Sequence, residues 1–170
     1  GLIRNHYVGR TFIEPTQNIR SLGVKLKLSS TKTIVKNKSI ILIDDSLVRG
    51  TTCHKIVKML YENGAKEVHV RIACPEIRYP DFYGVDMPTK EELLAYEKNN
   101  KEMCEYIKAK SLKFLSLDGL YNALIKEKRN PSYPQFSDHY FTGDYPIKPY
   151  DNLNSVKVKQ LSLLSAKSNS

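Results

Sequence analysis

An α/β fold built on a parallel sheet is the class this sequence predicts, and three observations predict it. Four aliphatic residues, Ile40 to Ile43, run directly into two carboxylates, Asp44 and Asp45. A helical stripe follows, with Cys53, Ile56, Val57 and Leu60 at i, i+3, i+4 and i+7. A second β-branched run, Val68 to Ala73, comes next. Strand, helix and strand in that order describe one parallel crossover unit over 40–73, with right-handed connection expected.

In chain order, residues 1–33 carry Gly9, Pro15 and Gly23 and no sustained period, which reads as a mobile segment with short extended pieces. Residues 40–44 read as a central buried strand. The helix after it is expected over 52–63, with Gly64 placed to close it as the left-handed residue beyond the cap. Thr89 and Glu92 have the spacing of a capping box that opens a helix bearing Leu93, Leu94 and Tyr96. A further helix is expected over 100–109 and a third strand over 113–116. Asp118 is placed to cap a helix carrying Leu120, Tyr121, Leu124 and Ile125. Residues 130–150 are rich in Pro and Tyr and read as ordered coil, and 151–170 as a polar tail with a short amphipathic stretch.

The chemistry concentrates between the first predicted strand and its helix. Ligands of open parallel sheets bind at the carboxyl ends of strands. A helix N-terminus presents unpaired N–H groups and partial positive charge, which suits a phosphate. Ser46, Gly50, Thr51 and Thr52 lie where that cradle forms, and Arg49 lies beside them. Asp44 and Asp45 suit sugar hydroxyls or a hard divalent cation such as Mg2+. The pair also fits ordinary loop acids, or the acids of a receiver-like fold, but a receiver does not require the Gly50-Thr51-Thr52 run. Thr51 and Thr52 fit helix caps as well as phosphate ligands, and Arg49 fits a solvated side chain or a loop support that meets a phosphate. Cys53 opens the helix, where thiol pKa values tend to fall, but its place on the apolar stripe favours packing. His54, His69 and His139 share no spacing and have no evident partner, and read as surface or satisfied histidines.

The run from Ile40 to Thr52 resembles the phosphoribosyl-diphosphate (PRPP) fingerprint of type I phosphoribosyltransferases. Its wording from Asp44 to Thr52 resembles the glutamine amidophosphoribosyltransferase family, as do Gly1 to Ile13, Pro75 to Asp86 and Phe141 to Pro146. Four ordered matches over roughly residues 1–150 are more specific than one short motif. The resemblance implies a Rossmann-like fold, incomplete at its N-terminal side, in which 1–150 is the C-terminal portion of the transferase domain. It implies PRPP binding by Asp44, Asp45, Ser46, Arg49, Gly50, Thr51 and Thr52, with Mg2+ at Asp44 and Asp45. It implies a flexible catalytic loop over 1–33, with Arg4, Arg10 and Lys25 as its candidate residues; His6 stands where the family commonly carries Arg. Members of the family make 5-phosphoribosylamine from PRPP and glutamine, the first step of purine synthesis. The glutaminase domain with its N-terminal cysteine nucleophile, and the diphosphate loop, would lie upstream, so this chain alone is expected to be inactive. An upstream polypeptide, further copies in a homo-oligomer, and purine nucleotides as feedback ligands are the implied partners. Some members hold an iron–sulfur cluster; its downstream ligands would align with Asp81 and residues 134–141, which contain no cysteine, so no cluster is expected. Two other readings stand beside this one: an inactive remnant of a split gene, and a stand-alone binding module, RNA-binding included.

Composition sets the outer bounds. The chain has 170 residues, 41% hydrophobic and 26% charged, which suits one globular domain. No apolar run is long enough to span a membrane, and the first residues do not read as a secretory leader. Gly1 in place of Met reads as a fragment or processed piece. Cys53, Cys74 and Cys104 lie far apart without a CxxC, against a zinc site or disulfide framework, so a reducing cytoplasm is expected. The net charge of +9 is compatible with anionic ligands. Lys25, Lys27, Lys32, Lys36 and Lys38 form the richest basic stretch, but no aromatics interleave it, so nucleic acid is not an expected partner.

Overall fold

In a computed structural model of the chain, residues 2–4, 28–30, 32–85 and 89–147 are described, with side chains from 32 onward. The expected tail, 151–170, and most of the expected catalytic loop lie outside the described residues. Two short strands, β1 (Leu2–Arg4) and β2 (Leu28–Ser30), pair antiparallel, Leu2 opposite Ser30. A short helix, α1 (Lys32–Val35), leads into β3 (Ser39–Asp44). The strand is followed by α2 (Thr51–Glu62) and β4 (Glu67–Ile72), which runs parallel to β3 with Asp44 opposite Ile72. A 3-10 turn at Lys90–Glu92 precedes α3 (Leu94–Glu97) and α4 (Asn100–Tyr106). Strand β5 (Ser111–Phe114) then joins β4, again parallel, and α5 (Leu117–Ile125) and α6 (His139–Thr142) complete the described chain. The sheet order is β3-β4-β5.

The core lies on one face of this sheet. Leu42, Val68, Val70, Ile72 and Leu112 point toward Cys53, Ile56, Val57 and Leu60 of α2 and toward Met103 and Ile107. The 3.6 and 2.0 side-chain periods of helix and strand meet here. On the opposite face Ile41 and Ile43 are 65% and 72% exposed, so the strand expected to be central and buried is, among the described residues, an edge strand with one open face. Helix α2 ends as the sequence predicts. Gly64 takes φ +89°, its N–H donates to Tyr61 O at 2.9 Å, and the Ala65 N–H donates to Leu60 O at 3.1 Å. That is the Schellman pattern.

Four local expectations need correction. Helix α5 is capped by Ser116, whose Oγ accepts from the Gly119 N–H at 3.0 Å, and not by Asp118, which lies inside the first turn. Using Ser116 as a cap also ends β5 earlier than expected, at Phe114. The capping box at Thr89 forms, but it opens only a 3-10 turn. Leu93 is extended there (ψ 116°), and the Leu94 N–H leaves the local helix to donate to Val48 O at 2.9 Å. Residues 130–147 are largely coil but include α6, which packs by a polar network that a Pro- and Tyr-rich composition does not announce.

That network has two centres. Asp138, 3% exposed, accepts from Tyr121 Oη at 2.7 Å, from Arg129 Nε at 2.6 Å and Nη2 at 3.2 Å, and from Thr142 Oγ1 at 3.1 Å. Asp81 accepts from the N–H groups of Tyr83 and Val85 at 2.9 and 2.8 Å and from Tyr140 Oη at 3.1 Å, and its Oδ1 lies 2.9 Å from His139 Nε2. His139 is 2% exposed and satisfied, with Ser137 Oγ 3.0 Å from its other ring nitrogen. Burial by itself would raise the Asp81 carboxyl; the backbone N–H groups of Val85 and Tyr83, then His139 and Tyr140, outweigh it and hold the pKa at about 2, below the ordinary 3.8. A carboxyl depressed on folding stabilises the fold above its unfolded pKa and stops doing so as pH falls through its folded value. Acid unfolding followed by circular dichroism should therefore show stability falling between pH 3.8 and about 2, and Asp81→Asn should flatten that part of the curve.

Candidate functional site

Strand β3 ends at Asp44, so the acid pair sits at its carboxyl end. The Asp45 N–H donates to Asp44 Oδ1 at 3.1 Å, and Ser46 Oγ donates to Asp45 Oδ1 at 2.7 Å. Asp44 is half-buried and Asp45 exposed. Burial raises the Asp44 pKa; the Asp45 N–H opposes this, and the Asp45 charge adds to it. Two adjacent carboxylates, one partly desolvated, make a site whose charge is relieved by a cation or by hydroxyl donors.

Leu47, 3% exposed, anchors the loop in the core. Gly50 then turns the chain into α2 with φ +74° and ψ −10°. The left-handed conformation is open to glycine without steric penalty. Gly50 is the N-cap, and no side chain caps the helix. The Gly50 carbonyl accepts the His54 N–H at 2.9 Å. Among the described residues, no acceptor within the chain takes the N–H groups of Gly50, Thr51 or Thr52. Thr51 and Thr52 are thus the first two helical residues and not caps, with Thr52 exposed. The arrangement can hold a tetrahedral anion at the helix mouth, with the hydroxyls of Ser46, Thr51 and Thr52 as further donors.

Arg49 pairs with Glu92. Its Nε and Nη2 each lie 3.3 Å from one of the two carboxylate oxygens of Glu92. Sequence reasoning did not single out Glu92 as a site residue. Its capping-box spacing was visible, but nothing local shows that its carboxylate also meets a residue 43 positions earlier.

Cys53 is a packing residue, 2% exposed. Burial, reinforced by Asp44, pushes its thiol up to about 12, opposite to the fall that a helix start favours. The Cys74 thiol is likewise raised, to about 11, by burial. All three cysteines are free thiols. Arg10 and Lys25 lie outside the described residues; Arg4 is placed by its backbone in β1, with its side chain outside the described set. The structure therefore brings together Asp44 to Thr52 but does not show Arg4, Arg10 or Lys25 at the loop. Among the described residues, no three His, Cys, Asp or Glu side chains cluster as a metal site, and no helix is long and apolar enough to cross a membrane.

A parallel sheet whose strand ends in paired acids, followed by a glycine turn into the helix, is the arrangement that the resemblance of residues 40–52 to type I phosphoribosyltransferases implies. No family model matches the chain, but individual relatives do. It is 55% identical over 167 residues to the amidophosphoribosyltransferase of Rhizobium etli, covering 98% of this chain and 34% of that protein. It is 52% identical over 151 residues to the Staphylococcus aureus amidophosphoribosyltransferase, covering 89% and 30%. Among solved structures, the glutamine PRPP amidotransferase of B. subtilis, complexed with ADP and GMP, superposes with a TM-score of 0.74 at 45% identity, covering 89% of this chain and 33% of that one. Over nearly its whole length the chain is homologous to part of these amidophosphoribosyltransferases, and it spans about a third of the length of the relatives it matches.

Proposed function

We propose that this chain supplies the PRPP-binding loop of an amidophosphoribosyltransferase, which converts PRPP, glutamine and water to 5-phosphoribosylamine, glutamate and diphosphate. The observation that carries the reading is the loop itself: paired acids at a strand end, a few residues before a helix mouth whose first N–H groups have no acceptor among the described residues. In this role Gly50, Thr51 and Thr52 offer N–H groups, and Ser46, Thr51 and Thr52 offer hydroxyls, to the 5′-phosphate. Asp44 and Asp45 accept from the ribose hydroxyls.

The same two carboxylates fit Mg2+, which takes one or two protein carboxylates and fills its remaining positions with water and ligand oxygens. Bound there, the ion would offset the charge of PRPP's phosphates. Positive charge develops at C1 as the bond to diphosphate breaks, and the acid pair favours it electrostatically. Arg4, Arg10 and Lys25 belong to the segment proposed to close over PRPP and keep water from that centre. The glutaminase reaction, assembly into oligomers and feedback by purine nucleotides belong to the rest of the enzyme in this proposal.

The test is titration of the chain with PRPP and Mg2+, followed by amide resonances of residues 44–52. Those resonances are expected to move. Asp44→Asn with Asp45→Asn should weaken the response about ten-fold or more, the cost of losing charge-assisted hydrogen bonds of about 1.5–3 kcal/mol each. The melting temperature should hold, because Asn can keep the bonds to the Asp45 backbone and to Ser46. A large fall in melting temperature with an unchanged titration would make the acids structural and end the proposal.

A further inference from the structure

The loop from Leu47 to Gly50 has two sides. One carries the acids, Ser46 and the helix mouth. The other is docked on the segment 92–106. The Val48 carbonyl accepts the Leu94 N–H at 2.9 Å. A Cβ built on Gly50 would lie 2.6 Å from Leu94 Cδ2 and 3.1 Å from Tyr106 Cε1, so the backbone is seated against both side chains. Just beyond the loop, His54 Nδ1 lies 2.9 Å from Tyr106 O. Arg49 completes this docked side, its guanidinium meeting both oxygens of Glu92. Glu92 in turn accepts the Thr89 N–H at 3.3 Å, which ties its carboxylate to the 3-10 turn.

We infer that Glu92 is a positioning residue for the phosphate loop: it holds Arg49 on the docked side as a strut, so that Arg49 fixes the loop and does not grip the phosphate. This rests on the PRPP reading of the loop. Two physical points favour it. A forked Arg–carboxylate pair constrains direction as well as distance, which a lone lysine contact does not. A carboxylate already on the guanidinium also neutralises it, and would repel a phosphate brought to the same edge.

The pair is partly exposed, 35% for Arg49 and 50% for Glu92, so its effect should appear in the loop and not in global stability. The experiment uses the full chain and the variants Glu92→Gln, Arg49→Lys and the double change. Gln keeps the capping-box bond to Thr89 and loses the charge; Lys keeps the charge and loses the fork. In the absence of ligand, hydrogen exchange at the two amides that bond the loop carbonyls, Leu94 N–H to Val48 O and His54 N–H to Gly50 O, should rise about five-fold in each variant, with melting temperatures little changed. Affinity for ribose 5-phosphate should fall by a similar factor in each single variant, and the double variant should be no worse than either, the sign of one shared interaction.

Arg49→Lys weakening ribose 5-phosphate while Glu92→Gln leaves it unchanged would overturn the inference and make Arg49 a phosphate ligand. Unchanged loop exchange in all variants would also overturn it. If ribose 5-phosphate fails to bind the wild-type chain while loop exchange responds as expected, the strut is supported and the PRPP reading is what falls.

Discussion

Asp138→Ala should lower the unfolding free energy by about 3–5 kcal/mol, the cost of removing one partner from a buried ion pair. The Asp138 side chain is 4% exposed and that of Arg129 12%. Removing the carboxylate leaves the Tyr121 hydroxyl, at a residue only 1% exposed, without its acceptor. It also strips Arg129 of a forked partner, leaving Asp144 as its remaining carboxylate. Because Asp138 precedes α6 and its backbone carbonyl accepts the Phe141 and Thr142 N–H groups, the loosening should spread into residues 139–142. Urea unfolding monitored by circular dichroism measures the cost. Asp138→Asn keeps an acceptor for Tyr121 and should fall between wild type and alanine. A loss under about 1 kcal/mol in the alanine variant, the scale of an exposed pair, would show that the network does not hold this region.

Gly50→Ala should impair both fold and ligand response. A non-glycine residue at φ +74° is strained by about 1–2 kcal/mol, and the added methyl meets Leu94 and Tyr106. Leu94 can give way at its end, but only by shifting the side on which the loop rests. The Gly50, Thr51 and Thr52 N–H groups then lose their common aim, and misplacement on the ångström scale costs about 100-fold where geometry carries the effect. Ribose 5-phosphate binding should therefore fall well beyond what the stability change explains. Gly64→Ala is the control. It places Ala at φ +89°, at the far end of the same helix, and should cost comparable stability while sparing the ligand response. Equal effects on binding from both variants would mean that Gly50 serves only the backbone.

How much of this was legible follows from how local each signal is. The unit 39–72 could be read because aliphatic β-runs, a four-point helical stripe and a closing glycine are all properties of neighbours in sequence. The loop could be read for the same reason, since its acids, glycine and hydroxyls occupy nine consecutive positions. The misses are long-range. Asp81 and His139 are 58 residues apart, and neither shows its partner from its own surroundings. Glu92 could be read as half of a capping box, but its second role depends on Arg49. Leu94 looked like helix interior until its N–H was taken by Val48, a tertiary bond that overrides local propensity. Ser116 and Asp118 compete to cap the same helix by type alone; in the fold Ser116 takes the role, its Oγ accepting the Gly119 N–H.

The bare N-terminus of α2 has a thermodynamic consequence. A side-chain cap is ordinarily worth about 1 kcal/mol to a helix, and this helix goes without one while its other end is closed by a full Schellman motif. In the proposed role, an anion bound there would become the cap. Occupancy and helix stability are then one linked equilibrium, in which the melting temperature rises with the logarithm of ligand concentration. Thermal shift thus becomes a direct gauge of loop occupancy, readable without any catalytic turnover. In that role, Ser, Asn or Asp at position 50 would place an internal competitor on the N–H groups offered to the ligand.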